Sequence, residues 1–137
     1  MASTLAFHLV SPENLVLSQE VEMVIIPGED GDMGILPQHA AIISVLRPGL
    51  IQIQEEGEIT QRIFISGGFA NINERGCTVL SEECVFLKDI DPTHLESYIK
   101  NLQDELTIAR DLEERTDIEN SLKIANIKLH LYQKLLR

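Results

Sequence analysis

An aspartate, a histidine and a serine are the residues of this chain whose types could support catalysis. Asp32 and His39 stand close together in a stretch rich in glycine and proline, and Ser66 comes later, directly before two glycines. A serine nucleophile needs a histidine base and a carboxylate that orients the histidine. The spacing shows no such triad, and the Gly-x-Ser-x-Gly turn of serine hydrolases is missing around Ser66. Catalysis is therefore kept only as the alternative hypothesis for the function. That alternative is a free-standing β-sandwich enzyme, or a small-ligand-binding module, that uses Asp32 and His39.

Metal and phosphate sites are not predicted either. Glu29, Asp30 and Asp32 are close in sequence, but the 12-residue calcium loop and its flanking helices are missing. The pair Gly67-Gly68 is followed by neither the lysine nor the helix of a phosphate-binding loop. No Cys-x-x-Cys or His-x-x-x-His spacing suggests zinc. We expect no cofactor and no bound metal.

Charge and composition restrict the partners. The net charge is −11, and nucleic acids or anionic lipids bind through clustered Lys and Arg. The two cysteines, with no secretion signal at the N-terminus, predict a cytosolic chain with reduced thiols. No stretch approaches the roughly 18 apolar residues of a membrane-spanning helix. The acidic charge therefore argues against nucleic acid and anionic lipid as direct ligands, and leaves solubility or a basic protein partner as its role.

Short β segments separated by turns fill residues 4–88. Leu5, Phe7 and Leu9 alternate with less apolar residues, and the same period recurs around Ile51 and Ile53. Between them, Ile26–Ala40 is predicted to be a shaped loop, because glycine and proline constrain its backbone. Many short strands at this spacing favour a β-sandwich or barrel over a parallel sheet.

The period changes to that of a helix near residue 90. Asp91-Pro92 predicts a helix start, with aspartate as N-cap and proline in the first turn. We expect a break over Asp111–Asp117 and a second helix that begins at a capping box, Thr116-x-x-Glu119. Two amphipathic helices joined by a short break predict an antiparallel hairpin. The predicted domains are therefore residues 1–88, all-β, and residues 89–137, a helical hairpin.

Several motifs together resemble the epsilon subunit of bacterial rotary F-type ATP synthases. Pro27–Ala40 reads PGEDGDMGILPQHA, which is similar to the family signature PGxxGxxGILPxHA. Arg47-Pro48-Gly49 matches the turn that follows, Ser66–Phe69 matches an SGGF segment, and Thr78–Leu80 matches a TVL strand. The match covers residues 4–88 closely, and the hairpin matches in length, position and character.

The resemblance implies a fold, a function and a place in the cell. The fold is a β-sandwich of about ten strands followed by a C-terminal antiparallel two-helix hairpin. The chain is then a non-catalytic central-stalk (rotor) subunit of a proton-translocating ATP synthase, peripheral on the cytoplasmic face of the bacterial inner membrane. It couples rotation of the membrane c-ring to the gamma subunit, and its hairpin restrains ATP hydrolysis.

Contact residues are also implied by the resemblance. The acidic loop position and the histidine of the signature, Asp32 and His39 here, contact the c-ring. The extended hairpin reaches the alpha and beta subunits, where Lys123, Lys128 and Lys134 face acidic segments. These lysines, with Arg137, stand in residues 120–137, which contain no acid.

Two departures from the family pattern have consequences. Ala41 replaces the proline that commonly follows "HA", which loosens that corner. Some bacterial members bind ATP through an Ile/Leu-Asp-x-x-Arg-Ala pattern on the hairpin. Here Ile90–Leu95 has His94 and Leu95 in place of arginine and alanine. Because the guanidinium is missing, the sequence predicts weak or absent ATP binding.

Overall fold

The computed structural model describes residues 3–136 and contains ten strands followed by two helices, as predicted. The chain divides into two compact units, Met1–Leu87 and Lys88–Arg137. The strands of the first unit are β1 (Leu5–Val10), β2 (Leu15–Val21), β3 (Met23–Gly28), β4 (Gly31–Ile35), β5 (Ile42–Leu46), β6 (Gly49–Glu55), β7 (Glu58–Ile65), β8 (Gly68–Ile72), β9 (Gly76–Leu80) and β10 (Cys84–Phe86). The helices of the second unit are α1 (Pro92–Ile108) and α2 (Leu112–Leu136).

The strands form two layers that meet at one corner. The hydrogen-bonded order is β10-β7-β6-β3-β5-β8-β9-β1-β2, with β4 paired to β3. Within the described residues, β3 meets β5 through the single pair Gly28 and Leu46, so the sheet turns there from one layer into the other. All neighbouring strands are antiparallel except β1 and β9, which are parallel.

The core lies between the two layers and follows the period of two that the sequence shows. In β8, for example, Ala70 and Ile72 are buried while Phe69 and Asn71 are exposed. Alternation of this kind places one set of side chains inside and the other in solvent. The buried residues of the core are aliphatic apart from one phenylalanine and one cysteine: Leu5, Phe7, Leu9, Val21, Val24, Ile26, Ile35, Leu46, Ile51, Ile53, Ile63, Ile65, Ala70, Ile72, Cys77 and Val79.

The predicted loop Ile26–Ala40 is partly wrong, because most of its first half is a β-hairpin. β3 continues to Gly28, and β4 returns antiparallel beside it, with Ile26 opposite Met33 and Val24 opposite Ile35. Ile35 is fully buried. β4 was not predicted, because it contains two glycines and its apolar residues alternate over only a few positions. Residues 36–41 form the actual loop between β4 and β5.

The helical unit confirms the two helices and corrects the break between them. The helices are separated by residues 109–111, and α2 begins at Leu112, inside the stretch predicted to be non-helical. Glu113 and Glu114 lie in its first turn, where acids interact favourably with the helix dipole. The Thr116 hydroxyl donates to the Leu112 carbonyl oxygen at 2.9 Å, so Thr116 lies within the helix and is not its N-cap.

The two helices share a small apolar cluster and a polar connection. The buried residues of the cluster come from both helices and the turn: Leu102, Ala109 and Ile118. Arg115 of α2 donates through Nη1 to the carbonyl oxygens of Leu106 and Ala109, at 3.1 and 3.2 Å. These carbonyls lie at the end of α1, where helical carbonyls lack intrahelical partners. Among residues 3–136, no helix is both long enough and apolar enough to cross a bilayer.

Candidate functional site

Asp32 lies at the start of β4, directly after the turn of the β3–β4 hairpin. Its carboxylate Oδ1 is 2.6 Å from Nη2 of Arg47, which follows β5. About 55% of the Asp32 side chain and 41% of the Arg47 side chain remain exposed. The carboxylate proposed from sequence therefore faces solvent, but it already has a cationic partner within the chain.

Arg47 was not recognised as a functional residue from the sequence. Besides Asp32, its guanidinium contacts the carbonyl oxygen of Gly28 through Nη1 at 2.5 Å. The Arg47 backbone N–H donates to the Pro27 carbonyl oxygen at 2.9 Å. The signal was present, since Arg47 opens the Arg-Pro-Gly turn of the motif, but sequence spacing does not show that this turn lies beside Asp32.

His39 lies in the loop of residues 36–41, at a different place from Asp32. Its Nδ1 is 2.7 Å from the Ala40 carbonyl oxygen; because a carbonyl can only accept, Nδ1 carries the hydrogen and Nε2 is left for a partner. The preceding residue, Gln38, has φ of 63°, a left-handed conformation that non-glycine residues seldom adopt.

His39 and Asp32 border two different open grooves on the surface. His39 borders a groove of about 970 Å³ between the loop of residues 36–41 and the β8–β9 turn, with Asn73, Glu74 and Arg75 on its other side. Asp32 borders a groove of about 490 Å³ between the β3–β4 hairpin and β5. Neither groove includes both residues, so the structure places Asp32 and His39 on separate parts of the surface.

Ser66 has a structural environment. Its Oγ accepts a hydrogen bond from the Glu83 backbone N–H at 3.2 Å, and its own N–H donates to the Glu83 carbonyl oxygen at 3.2 Å. Among residues 3–136, no hydrogen bond joins Ser66 to Asp32 or His39, and no group of three or more His, Cys, Asp or Glu side chains could hold a metal ion.

The cysteines are unpaired and occupy different environments. Cys77 is buried in the core, and burial raises the pKa of its thiol from 9.0 to about 12. Burial also raises the pKa of the half-buried Cys84, whose sulfur contacts the Ser81 carbonyl oxygen at 3.8 Å. A thiol with a raised pKa is mostly protonated at neutral pH and is a poor nucleophile.

A row of apolar side chains crosses the outer face of the layer β5-β8-β9-β1-β2. Strand pairing places one residue of each strand opposite the next, in the order Val45, Phe69, Leu80, Val10 and Leu15. All except the half-buried Val10 are exposed, from 46% for Val45 to 61% for Leu15. Five strands about 4.8 Å apart make this outer apolar row roughly 19 Å long. This row cannot be recognised in the sequence, because pairing between distant strands decides which residues align.

The hairpin lysines do not all lie on one side of α2. The helix runs without interruption from Leu112 to Leu136, and each residue advances about 100° around its axis. Lys123 and Lys134 are then within about 20° of each other, whereas Lys128 is rotated by about 140°. Lys123 and Lys134 are exposed, and Lys128 is half-buried.

At the start of α1, Asp91 has the capping role that the sequence predicts. Its carboxylate accepts from the backbone N–H groups of Thr93 and His94, at 3.1 and 3.3 Å. Leu95 is buried and His94 is exposed. The structure therefore assigns a helix-capping function to Asp91.

The sandwich unit matches a known family over almost its whole length. The profile of the ATP synthase delta/epsilon chain β-sandwich domain matches residues 4–86, which is more than half of the chain. The chain belongs to this family of ATP synthase delta/epsilon subunits. The resemblance stated from the sequence motifs is therefore confirmed.

Relatives of similar length extend the match into the helical hairpin. The ATP synthase epsilon chain of Parvibaculum lavamentivorans is 47% identical over 84% of this chain and 87% of that protein. The epsilon chain of Rhodospirillum rubrum is 40% identical over 94% of this chain and 96% of that protein. These delta/epsilon family members are named as components of the synthase complex.

Solved structures agree with the fold. A chain of the Euglena gracilis mitochondrial ATP synthase, from a cryo-EM structure that includes the c-ring, superposes with a TM-score of 0.76 at 25% identity and covers 90% of this chain and 78% of that one. A chain from the central stalk and c-ring of the Tetrahymena thermophila enzyme superposes with a TM-score of 0.62 over 98% of both chains. At 16% identity, the second likeness shows the fold alone.

Proposed function

We propose that this chain is a non-catalytic rotor subunit of a bacterial F-type ATP synthase, peripheral on the cytoplasmic face of the inner membrane. In this assembly the sandwich binds the gamma subunit and stands on the c-ring, so that ring rotation is passed to gamma. The helical hairpin restrains ATP hydrolysis when it reaches the alpha and beta subunits. Membership of the family and the likeness to a chain from a solved ATP synthase that includes the c-ring support this assignment.

The outer apolar row is the observation that carries the proposal. Four large apolar residues on a regular β-layer, Leu15, Val45, Phe69 and Leu80, are about half exposed or more. Covering them would contribute roughly 3 to 6 kcal/mol before the entropy of association is subtracted. A monomer gains no stability from exposed apolar side chains. A subunit that is held permanently by another protein gains stability when that protein buries them. We assign the row to the gamma subunit.

The charged groups support contacts at other parts of the surface. Asp32 and the Nε2 atom of His39 can bind polar or basic side chains of the c-ring loops. The exposed pair Lys123 and Lys134 offers two positive charges on one side of α2, which suits an acidic surface of the beta subunits.

Co-purification tests the assignment. A tagged full-length chain is expressed in a bacterium that lacks its own copy, and complexes are isolated from solubilised membranes. We expect a gamma-type chain and the c-ring to be recovered in constant ratio to the tagged chain. Recovery of the tagged chain alone, from membranes in which the remaining synthase is intact, would contradict the proposal.

A further inference from the structure

Arg47 holds the turn of the β3–β4 hairpin from outside that hairpin. Its guanidinium contacts the Gly28 carbonyl oxygen through Nη1 at 2.5 Å and the Asp32 carboxylate through Nη2 at 2.6 Å. Gly28 ends β3 and Asp32 lies near the start of β4, so one planar group connects the two arms of the hairpin. Arginine can do this because its donors form a rigid fork.

Backbone contacts also hold this end of the hairpin, since Gly28 pairs with Leu46 and the Arg47 N–H donates to the Pro27 carbonyl oxygen at 2.9 Å. Within residues 3–136, β4 pairs with β3 and with no other strand. The turn residues Glu29 and Asp30 are exposed. Their connection to β5 is a backbone hydrogen bond from the Glu29 N–H to the Val45 carbonyl oxygen at 2.9 Å, and Ser44 Oγ contacts Met33 Sδ at 3.6 Å. Arg47 supplies the charged contact to the Asp32 side chain.

Stabilisation is not the main result of this ion pair. Both side chains are exposed by more than a third, and exposed ion pairs contribute little to folding stability. What the pair decides is the orientation of the carboxylate. Arg47 occupies Oδ1, and among the described residues no hydrogen bond or ion pair involves Oδ2. The second oxygen therefore keeps its acceptor sites for a partner outside the chain, on a side chain that is about 55% exposed.

We propose that Arg47 is a positioning residue for the ring contact: it holds one oxygen of Asp32 and presents the other to a cationic or amide donor of the c-ring loops. This inference rests on the proposed contact between Asp32 and the c-ring. Without the Arg47 guanidinium the Asp32 carboxylate samples more orientations, so binding to the ring has to order it. Arg47 makes no contact with the ring in this scheme and acts through Asp32.

A double-mutant cycle on binding to the ring tests the inference. Purified c-ring in nanodiscs is the probe, and full-length chains carry Arg47→Gln, Asp32→Asn or both. If Arg47 acts through Asp32, we expect Kd to rise about tenfold for Asp32→Asn, about fivefold for Arg47→Gln and still about tenfold for the double variant. Arg47→Lys should lie between wild type and Arg47→Gln, because a single ammonium cannot span both acceptors as the guanidinium does.

Arg62→Gln is the matched control. Arg62 is also half-buried in the sandwich, and its Nε donates to Gln52 Oε1 at 3.3 Å on the β6–β7 pair. The same charge is lost, but Asp32 is untouched, so we expect Kd within about twofold of wild type.

Three results have distinct meanings. Multiplicative effects, with Kd of the double variant raised about fiftyfold, would overturn the positioning role, because Arg47 and Asp32 would then act independently. Unchanged affinity of Arg47→Gln would overturn it as well. Failure of the wild-type chain to bind the ring would contradict the proposed contact at Asp32 itself.

Discussion

Phe69 and Leu80 lie directly opposite each other on the antiparallel strands β8 and β9, and both face solvent, with 56% and 47% of their surface exposed. Opposed apolar side chains on a β-layer stabilise each other only modestly while water covers them. Together with Val45 and Leu15 they form an apolar surface. Burial of this surface by a partner is favourable.

Replacement of Phe69 by serine should weaken binding of the gamma subunit more than it weakens the fold. A large aromatic side chain within an apolar interface commonly dominates its energetics, so we expect Kd for purified gamma subunit to rise at least about tenfold. Thermal unfolding should change by a few degrees at most, because the side chain is exposed. Leu36→Ser is the control: Leu36 is 55% exposed in the loop of residues 36–41, and its loss should leave gamma binding unchanged. Equal effects of both variants would exclude the outer apolar row as the gamma site.

Charge reversal on one side of α2 should raise the rate of ATP hydrolysis by the assembled enzyme. Because Lys123 and Lys134 share a side of the helix, the variant Lys123→Glu/Lys134→Glu should repel the acidic surface proposed for the beta subunits. We expect hydrolysis by the assembled enzyme to rise about fivefold or more, and truncation after Asp89 to have the same effect without loss of assembly. Lys100→Glu, on the exposed part of α1, is the control with unchanged rate. Hydrolysis that stays constant in the truncated enzyme would show that the hairpin does not inhibit.

Alanine at Gly68 should destabilise the sandwich far more than alanine at Gly57. Both glycines have positive φ, +136° and +81°, which L-residues rarely adopt. A Cβ at Gly68 would also overlap the carbonyl oxygen of Leu80, whereas a Cβ at Gly57 would meet no atom within 4 Å. We expect Gly57→Ala to lower the free energy of unfolding by about 1 kcal/mol and Gly68→Ala by about 3 kcal/mol or more. Similar losses in urea titrations of the two variants would disprove the close approach of β8 and β9.

Cys77 should be almost unreactive in the folded chain. With a pKa of about 12 instead of 9.0, its thiolate fraction at pH 8 is about a thousandfold lower. In a Cys84→Ala variant, maleimide should modify Cys77 only on unfolding, while Cys84 in a Cys77→Ala variant should react faster. Rapid modification of Cys77 in the native chain would contradict its burial.

The same pKa sets a dependence of stability on pH. The unfolded thiol ionises above about pH 9, while the folded thiol keeps its proton up to about pH 12. The contribution of Cys77 is therefore complete below pH 9 and is lost by up to about 1.4 kcal/mol per pH unit above it. Between pH 9 and 10.5 the unfolding free energy of wild type should fall more steeply than that of Cys77→Ala, and parallel curves would contradict this.

ATP should bind weakly or not at all to the hairpin. The position of the expected arginine is His94, and the Asp91 carboxylate is engaged as a helix cap. Calorimetry with the full chain should therefore detect no micromolar affinity. His94→Arg, an exposed position, is the gain-of-function comparison, since it restores a guanidinium. Micromolar ATP affinity of the wild-type chain would refute the prediction.

By itself, the sequence determined the class of the fold and the family. Hydrophobic periodicity is a local property, so it can be recognised without knowledge of distant contacts. It has a period of two in segments such as Leu5–Leu9 and the period of a helix after Asp91-Pro92. The long motif at Pro27–Ala40 was specific enough to name the family. Local signals also misled where composition dominated: glycines concealed β4, and charged residues with good helix propensity concealed the first turns of α2.

Only the tertiary structure decided which residues meet. The partnership of Arg47 with Asp32, the separation of Asp32 from His39, and the alignment of Phe69 with Leu80 all depend on pairing between segments far apart in the chain. A shift of one residue in a strand register would turn the outer apolar row inward. Such pairings follow from how the whole core packs, and no short window of sequence contains them.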